Sequence, residues 1–102
     1  MKDLDRIIHE PARLVIVALL SGAEEVEFTY LTRECGLTKG NLSSHLSKLE
    51  SAGYIEILKE FRGKVPMTLV RLTKEGRASF IAYRKAMNKM LALKVPRLRE
   101  AY

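Results

Sequence analysis

Apolar side chains along this chain recur first at helical spacing, then at alternate positions near its middle, then at helical spacing again. Leu4, Ile7 and Ile8 fit one face of a short helix over about residues 3–9. Pro11 opens a second helix, 11–21, because the first N–H of a helix has no intrahelical partner to lose. From Leu14 to Leu20 that helix is apolar nearly all round, which predicts a central core position, and Ser21-Gly22 ends it. After the acidic turn Ala23-Glu24-Glu25, Glu27-Phe28 fits a very short strand, and Thr29 is placed to cap a helix over 29–35 that Gly36 stops.

Thr38 caps the next helix, 38–52, in which Leu42, Leu46 and Leu49 recur at i, i+4 and i+7 until Ala52-Gly53. The period then changes. Tyr54 to Lys59 and Met67 to Leu72 are rich in Ile, Leu, Val and Thr, which predicts a β-hairpin over 54–60 and 66–72, with Glu60 to Pro66 as a loop with a basic tip. Thr73 caps a last helix, 73–93, with Phe80, Tyr83, Met87, Met90 and Leu91 as its stripe before Pro96. Helix, short helix, turn, longer helix, hairpin, helix is the order of a winged helix-turn-helix, a mainly α fold with a small β-wing. We expect one such domain over residues 1–95 and a basic tail over 96–102.

Composition narrows the function classes. The 102 residues suffice for one modest core, and a net charge of +6 favours a polyanionic partner. The charge is unevenly spread: residues 1–27 sum to −3 and the remainder to +9. No apolar run is long enough to span a bilayer, and the acidic start does not resemble a secretory signal, so a cytoplasmic protein without a membrane partner is expected. Cys35 is the only cysteine, and His9 and His45 have no metal-ligand spacing with it or with each other; we expect Cys35 to serve packing, with redox sensing as the alternative, and no cofactor or metal.

A helix that reads DNA must be apolar on one side and short or polar on the other. In the 38–52 helix the inner side is leucine, and the outer side offers Lys39, Gly40, Asn41, Ser43, Ser44, His45, Ser47 and Lys48. Short hydroxyls and amides near a helix N-terminus bond phosphates, Asn pairs with an adenine edge, and Gly40 allows close approach of a DNA backbone. Any solvated helix start also favours Ser, Thr and Asn, and a basic turn is often merely solvated. The combination with Lys59, Arg62 and Lys64 on the hairpin is what favours DNA.

The stretch from Leu31 to Ile55, with Leu37-Thr38-Lys39-Gly40-Asn41-Leu42-Ser43-Ser44-His45-Leu46 at its centre, resembles the helix-turn-helix of MarR/ArsR-type transcriptional regulators of bacteria and archaea. Gly63 to Thr68 and Leu72-Thr73-Lys74-Glu75-Gly76-Arg77 are similar to the small winged-helix DNA-binding domains within that group. The resemblance implies a sequence-specific regulator of double-stranded DNA, not an enzyme, that acts as a homodimer. Its recognition helix would enter the major groove, and its wing, 59–66, would lie on the backbone or minor groove. DNA contacts are implied for Thr38, Lys39, Gly40, Asn41, Ser43, Ser44, His45 and Lys48, with Lys59, Arg62 and Lys64; for His45, a hydrogen bond that fixes the helix is the alternative. The ArsR-type metal-binding cysteine cluster is absent.

The final helix carries more apolar side chains than a chain this short readily covers, so Phe80, Tyr83, Met87, Met90 and Leu91, with Leu4, Ile7 and Ile8 of the first segment, are the expected dimer interface, packing of that helix on the protomer's own core being the alternative. A small-molecule effector is left open, at that interface or between wing and terminal helix. Two other classes fit the sequence less well. A protein-interaction module would more often expose large apolar anchors than this polar helix face. An enzyme is disfavoured because Ser43, Ser44 and His45, adjacent on a helix, point about 100° apart and no carboxylate orients the imidazole.

Overall fold

A computed structural model describes residues 4–93. Helix α1 runs Pro11–Ser21 and is capped by the Glu10 side chain, which accepts the Ala12 and Arg13 amides at 3.0 Å each. Ile16, Val17 and Leu20 bury its inner face. Strand β1 (Val26–Glu27) leads straight into α2 (Phe28–Cys35), and Gly36, at φ +63°, ends that helix in the left-handed region. Three residues later α3 (Lys39–Ser51) begins, with the Thr38 hydroxyl accepting the Asn41 amide at 3.1 Å.

The end of α3 is a Schellman motif: Gly53, at φ +81°, donates to Glu50 O, and Tyr54 N–H donates to Leu49 O. The chain leaves it as β2 (Ile55–Arg62), returns as β3 (Val65–Leu72) and closes with α4 (Lys74–Leu91). The three strands form one antiparallel sheet in the order β1-β3-β2, with Ile55 opposite Leu72 and Arg62 opposite Val65. Leu31, Leu42, Leu46 and Leu49 of the two central helices meet Ile55, Val70 and Leu72 of the sheet and Ile16, Val17 and Leu20 of α1 in a single core. This is the winged helix-turn-helix predicted from the order of elements.

Three local expectations are corrected. Residues 4–10 are a hydrogen-bonded turn, not the expected helix 3–9. The Asp5 carboxylate takes the Ile7 and Ile8 amides at 2.8 and 3.1 Å, so the backbone is satisfied without further helical turns, and Glu10 is held extended as the cap of α1. Thr29 lies inside α2 rather than capping it. The pairing of Glu27 with Leu69 holds Glu27 extended, so the helix starts at Phe28 and the Thr29 hydroxyl donates back to Glu27.

The third correction is the wing, which has no seven-residue loop. The strands run to Arg62 and from Val65, and Gly63-Lys64 alone turns the chain. Gly63 has φ +64° and Lys64 a negative φ, the signs of a type II′ turn, whose twist matches that of the hairpin. Because Arg62–Val65 closes the turn as a hydrogen-bonded pair, the next pair, Phe61–Pro66, falls at a non-bonded position, where proline removes no ladder bond.

Candidate nucleic-acid interface

Thr38 fixes the start of α3 with its hydroxyl, and the burial of Leu42, Leu46 and Leu49 fixes its rotation. The remaining faces follow. Lys39, Gly40, Asn41, Ser43, Ser44, Ser47 and Lys48 are all exposed, and so are Lys59, Arg62 and Lys64 on the wing. None of these lysines and arginines makes an ion pair among the described residues, so their charge is available to a partner. Gly40 has nothing within 4 Å of where a Cβ would stand, so no neighbour within the protomer requires a glycine there.

Helix and wing share one surface. Ser43 and Ser47 of α3, Ile57 and Lys59 of β2, Thr68 of β3 and Phe28 of α2 line an open groove of about 310 Å³ between them, with Leu46 at its floor. Ser47, expected on the outer side of the helix, belongs to this surface, and so does Thr68, which sequence reasoning did not place in it. The alternation of β2 and β3 was the available signal, since it sets Lys59 and Thr68 opposite each other on the face that carries buried Ile55 and Leu72.

His45 is the exception among the expected contact residues. Its ring is half-buried and turned toward α1, where Arg13 Nη1 donates to His45 Nδ1 at 3.2 Å and Glu10 Oε2 lies 3.4 Å from the same nitrogen. An arginine only donates, so the bond to Arg13 requires a neutral ring; a proton on Nδ1 would exchange it for a charged contact with Glu10. Arg13 is the only charged residue in the buried set among the described residues, and its Nε also donates to Ile7 O at 2.6 Å. A hydrogen bond that fixes the helix was the alternative expected for His45, but sequence reasoning did not name Arg13 as its partner. Arg13 falls at the i position of the stripe Ile16, Val17 and Leu20, which is where a buried cation would have shown.

The same corner collects further polar contacts. The Tyr54 hydroxyl donates to Asp5, and His9 Nδ1 lies 2.9 Å from the Tyr83 hydroxyl of α4. Desolvation pushes the Glu10 carboxyl up, but the Ala12 and Arg13 amides and the charge of Arg13 outweigh it and leave the group below its usual value. Burial raises the phenols of Tyr54 and Tyr83, and in Tyr54 the bond to Asp5 adds to it. Burial, then the neighbouring Glu34, push the Cys35 thiol up, so it stays protonated near neutral pH and packs against the core. Among the described residues no group of three or more His, Cys, Asp or Glu is placed to hold a metal ion.

Of the residues expected at a dimer interface, Leu4, Ile8, Phe80 and Tyr83 are instead buried in the protomer's own core. Ile7, Met87 and Met90 are half-buried, and Leu91 is 76% exposed. At about 100° per residue, Met87, Met90 and Leu91 continue the stripe of Phe80 and Tyr83, the two methionines packing partly against the core and Leu91 leaving it. Arg84 and Lys85 are exposed on the same helix, whereas the basic tail 96–102 lies outside the described residues.

Comparison with known proteins places these features in a wider group. Residues 12–91 match the profile of the winged helix DNA-binding domain family. An uncharacterised protein of Methanocaldococcus jannaschii is 42% identical over 79 residues, which cover 76% of this chain and 85% of that protein. The structure of a transcriptional regulator homologue from Pyrococcus horikoshii OT3 superposes with a TM-score of 0.74 at 30% identity, over 87% of this chain and 91% of that one. A structure described as a MarR-family transcriptional regulator of Enterococcus faecalis V583 shares the fold, with a TM-score of 0.72 at 22% identity over 83% of this chain and 76% of that one.

Proposed function

We propose, from the premise that this chain belongs to the winged helix DNA-binding domain family, that it reads double-stranded DNA as a homodimer, with α3 in the major groove and the wing on the flanking backbone or minor groove. At the coarser level the chain is a DNA-binding transcriptional regulator of MarR-like fold and not an enzyme. The observation that carries the finer reading is the shared surface of α3 and wing: five unpaired cations and a row of short hydroxyl and amide side chains, with no acid among the residues that line the groove between them.

Each element takes a role. Asn41 reads a base edge, and Thr38, Ser43, Ser44 and Ser47 bond phosphates together with the first amides of α3. Lys39, Lys48, Lys59, Arg62 and Lys64 neutralise phosphates, and Gly40 lets the backbone come close. His45 acts through Arg13, by holding α3 on α1 rather than by touching DNA. The domain comprises residues 1–95, and the uncovered end of the α4 stripe, Met87, Met90 and Leu91, forms the contact between protomers. No helix of the described residues is long and apolar enough to cross a membrane, which accords with a cytoplasmic site of action. A small-molecule effector would act where the terminal helix meets the N-terminal turn, around His9, Leu14, Tyr83 and Met87.

The test is fluorescence anisotropy with a random duplex and with genomic fragments from around the protein's own gene, from about 50 to 200 mM salt. Tight binding to one fragment, eroded selectivity in Asn41→Ala and uniform weakening in Arg62→Ala/Lys64→Ala are the expected results. A folded, dimeric protein that binds no duplex at low salt would redirect the search to protein partners.

A further inference from the structure

The tip of the wing is not simply basic. Phe61 is 74% exposed and Val65 61% exposed, at the end of a hairpin that projects beyond the core. Phe61 pairs with Pro66 across the strands, and alternation puts this pair on the same face as Lys59–Thr68, Ile57–Val70 and Ile55–Leu72. That face is the one that shares the groove with Ser43 and Ser47 of α3. The opposite face carries Glu60, exposed and without an ion pair among the described residues, and Glu56, which bonds Arg71 at 3.0 Å. Arg62 and Val65 belong to that opposite face as well, so of the two exposed apolar side chains at the tip only Phe61 shares a face with Lys59.

A two-residue turn makes this tip narrow. A minor groove about 6 Å wide is too narrow for the whole ribbon but can admit side chains presented at such a tip. Lys64 stands in the turn and Arg62 at the strand end before it, on the face opposite Phe61, so two cations lie next to the apolar ring at the tip. Apolar side chains inserted from such a position unstack a base step at a cost that is lowest at pyrimidine–purine steps.

We propose that Phe61, backed by Pro66, is an apolar wedge that enters the minor groove next to the segment read by α3 and favours sites with a flexible step beneath the wing. The assignment rests on the placement of the wing on DNA proposed above, and the experiment separates the two. The full-length protein is compared with Phe61→Ala, Phe61→Leu and Arg62→Ala/Lys64→Ala on the fragment the wild type binds, by anisotropy across salt concentrations and by 2-aminopurine fluorescence at the step under the wing. Phe61 is exposed, so far-UV circular dichroism of all variants should match the wild type.

Phe61→Ala is expected to weaken binding about ten-fold, comparable to loss of one base–aromatic stack, with the salt slope unchanged. Phe61→Leu should recover part of the affinity, and 2-aminopurine emission should rise with the wild type and not with Phe61→Ala. The double cation variant should instead flatten the salt slope. If the wild type binds but Phe61→Ala binds equally and gives the same 2-aminopurine signal, the wedge is overturned and the wing is left with its phosphate contacts alone. If Phe61→Ala loses self-association in sedimentation rather than intrinsic DNA affinity, Phe61 contacts a second copy and the wedge is likewise overturned. Absence of any duplex binding by the wild type would fail the underlying placement, and the wedge with it.

Discussion

Two glycines show how differently the same residue can be used. A Cβ at Gly76 would stand 2.0 Å from the Tyr54 carbonyl oxygen, because the first turn of α4 rests on the start of β2; Thr73 N–H donates to that same oxygen at 3.0 Å, and its hydroxyl donates to Gly53 O at 2.6 Å. Gly76→Ala should therefore cost about 1–3 kcal/mol, read as a fall in Tm, because backbone has to move. Gly40→Ala meets nothing and gains helix propensity, so it should leave stability equal or raise it by up to about 1 kcal/mol while weakening DNA binding. A Gly40→Ala variant that binds DNA normally would remove close backbone approach as the reason for that glycine. Glu10 supplies the pH dependence at this scale. Its carboxyl is held below the usual value, so its stabilising contribution is complete above the ordinary carboxylate pKa and disappears as pH falls through the lower folded value. Urea melts should show Glu10→Ala less stable than wild type by about 1 kcal/mol at neutral pH, with the two converging in acid.

At the scale of elements, α3 and the hairpin were legible because each signal was local. Three leucines at i, i+4 and i+7 between Thr38 and Gly53 leave one register for the helix, and the alternation from Ile55 to Leu72 admits one face for the sheet. The N-terminal turn was not legible, because Leu4, Ile7 and Ile8 do face the core and only the Asp5 carboxylate, by taking their amides, decides that they do so without a helix. The wing tip was misjudged for a similar reason: Pro66 reads as the end of a strand unless the register shows that it falls at a non-bonded pair. The role of His45 required a partner 32 residues away, which spacing does not reveal. This gives a prediction for the element. His45→Ala leaves the guanidinium of Arg13 short of one acceptor, and should lower stability by about 1–3 kcal/mol together with DNA affinity, whereas Asn41→Ala should lower affinity alone. Chemical melts beside binding isotherms on both variants distinguish a helix anchor from a DNA contact; an unaltered melt for His45→Ala would return the residue to the contact set.

On the scale of the whole molecule, the charge and the apolar surplus lie on different parts. Lys59 lines the groove between α3 and the wing, with Lys39 and Lys48 exposed on α3 and Arg62 and Lys64 at the wing tip, and the exposed end of the apolar stripe belongs to the far half of α4. Leu91→Glu or Met87→Glu should thus give folded monomers by sedimentation. If the five cations assigned to each protomer neutralise one phosphate apiece, log K should fall with log salt at a slope of about −9 for the dimer and about half that for the monomeric variant. Equal slopes would mean that one protomer makes all the contacts. Because the Asp5, His9 and Glu10 contacts tie the N-terminal turn to Tyr54, Tyr83 and His45, reading head and terminal helix move as one body. In the proposed dimer α4 is then a ruler. Its 18 residues span about 27 Å, and the phase of its stripe sets how far apart, and at what angle, two recognition helices meet the duplex. One residue inserted between Tyr83 and Met87 would leave each protomer folded but swing its mate by about 100°, so operators with an altered spacing between half-sites should become the preferred ones.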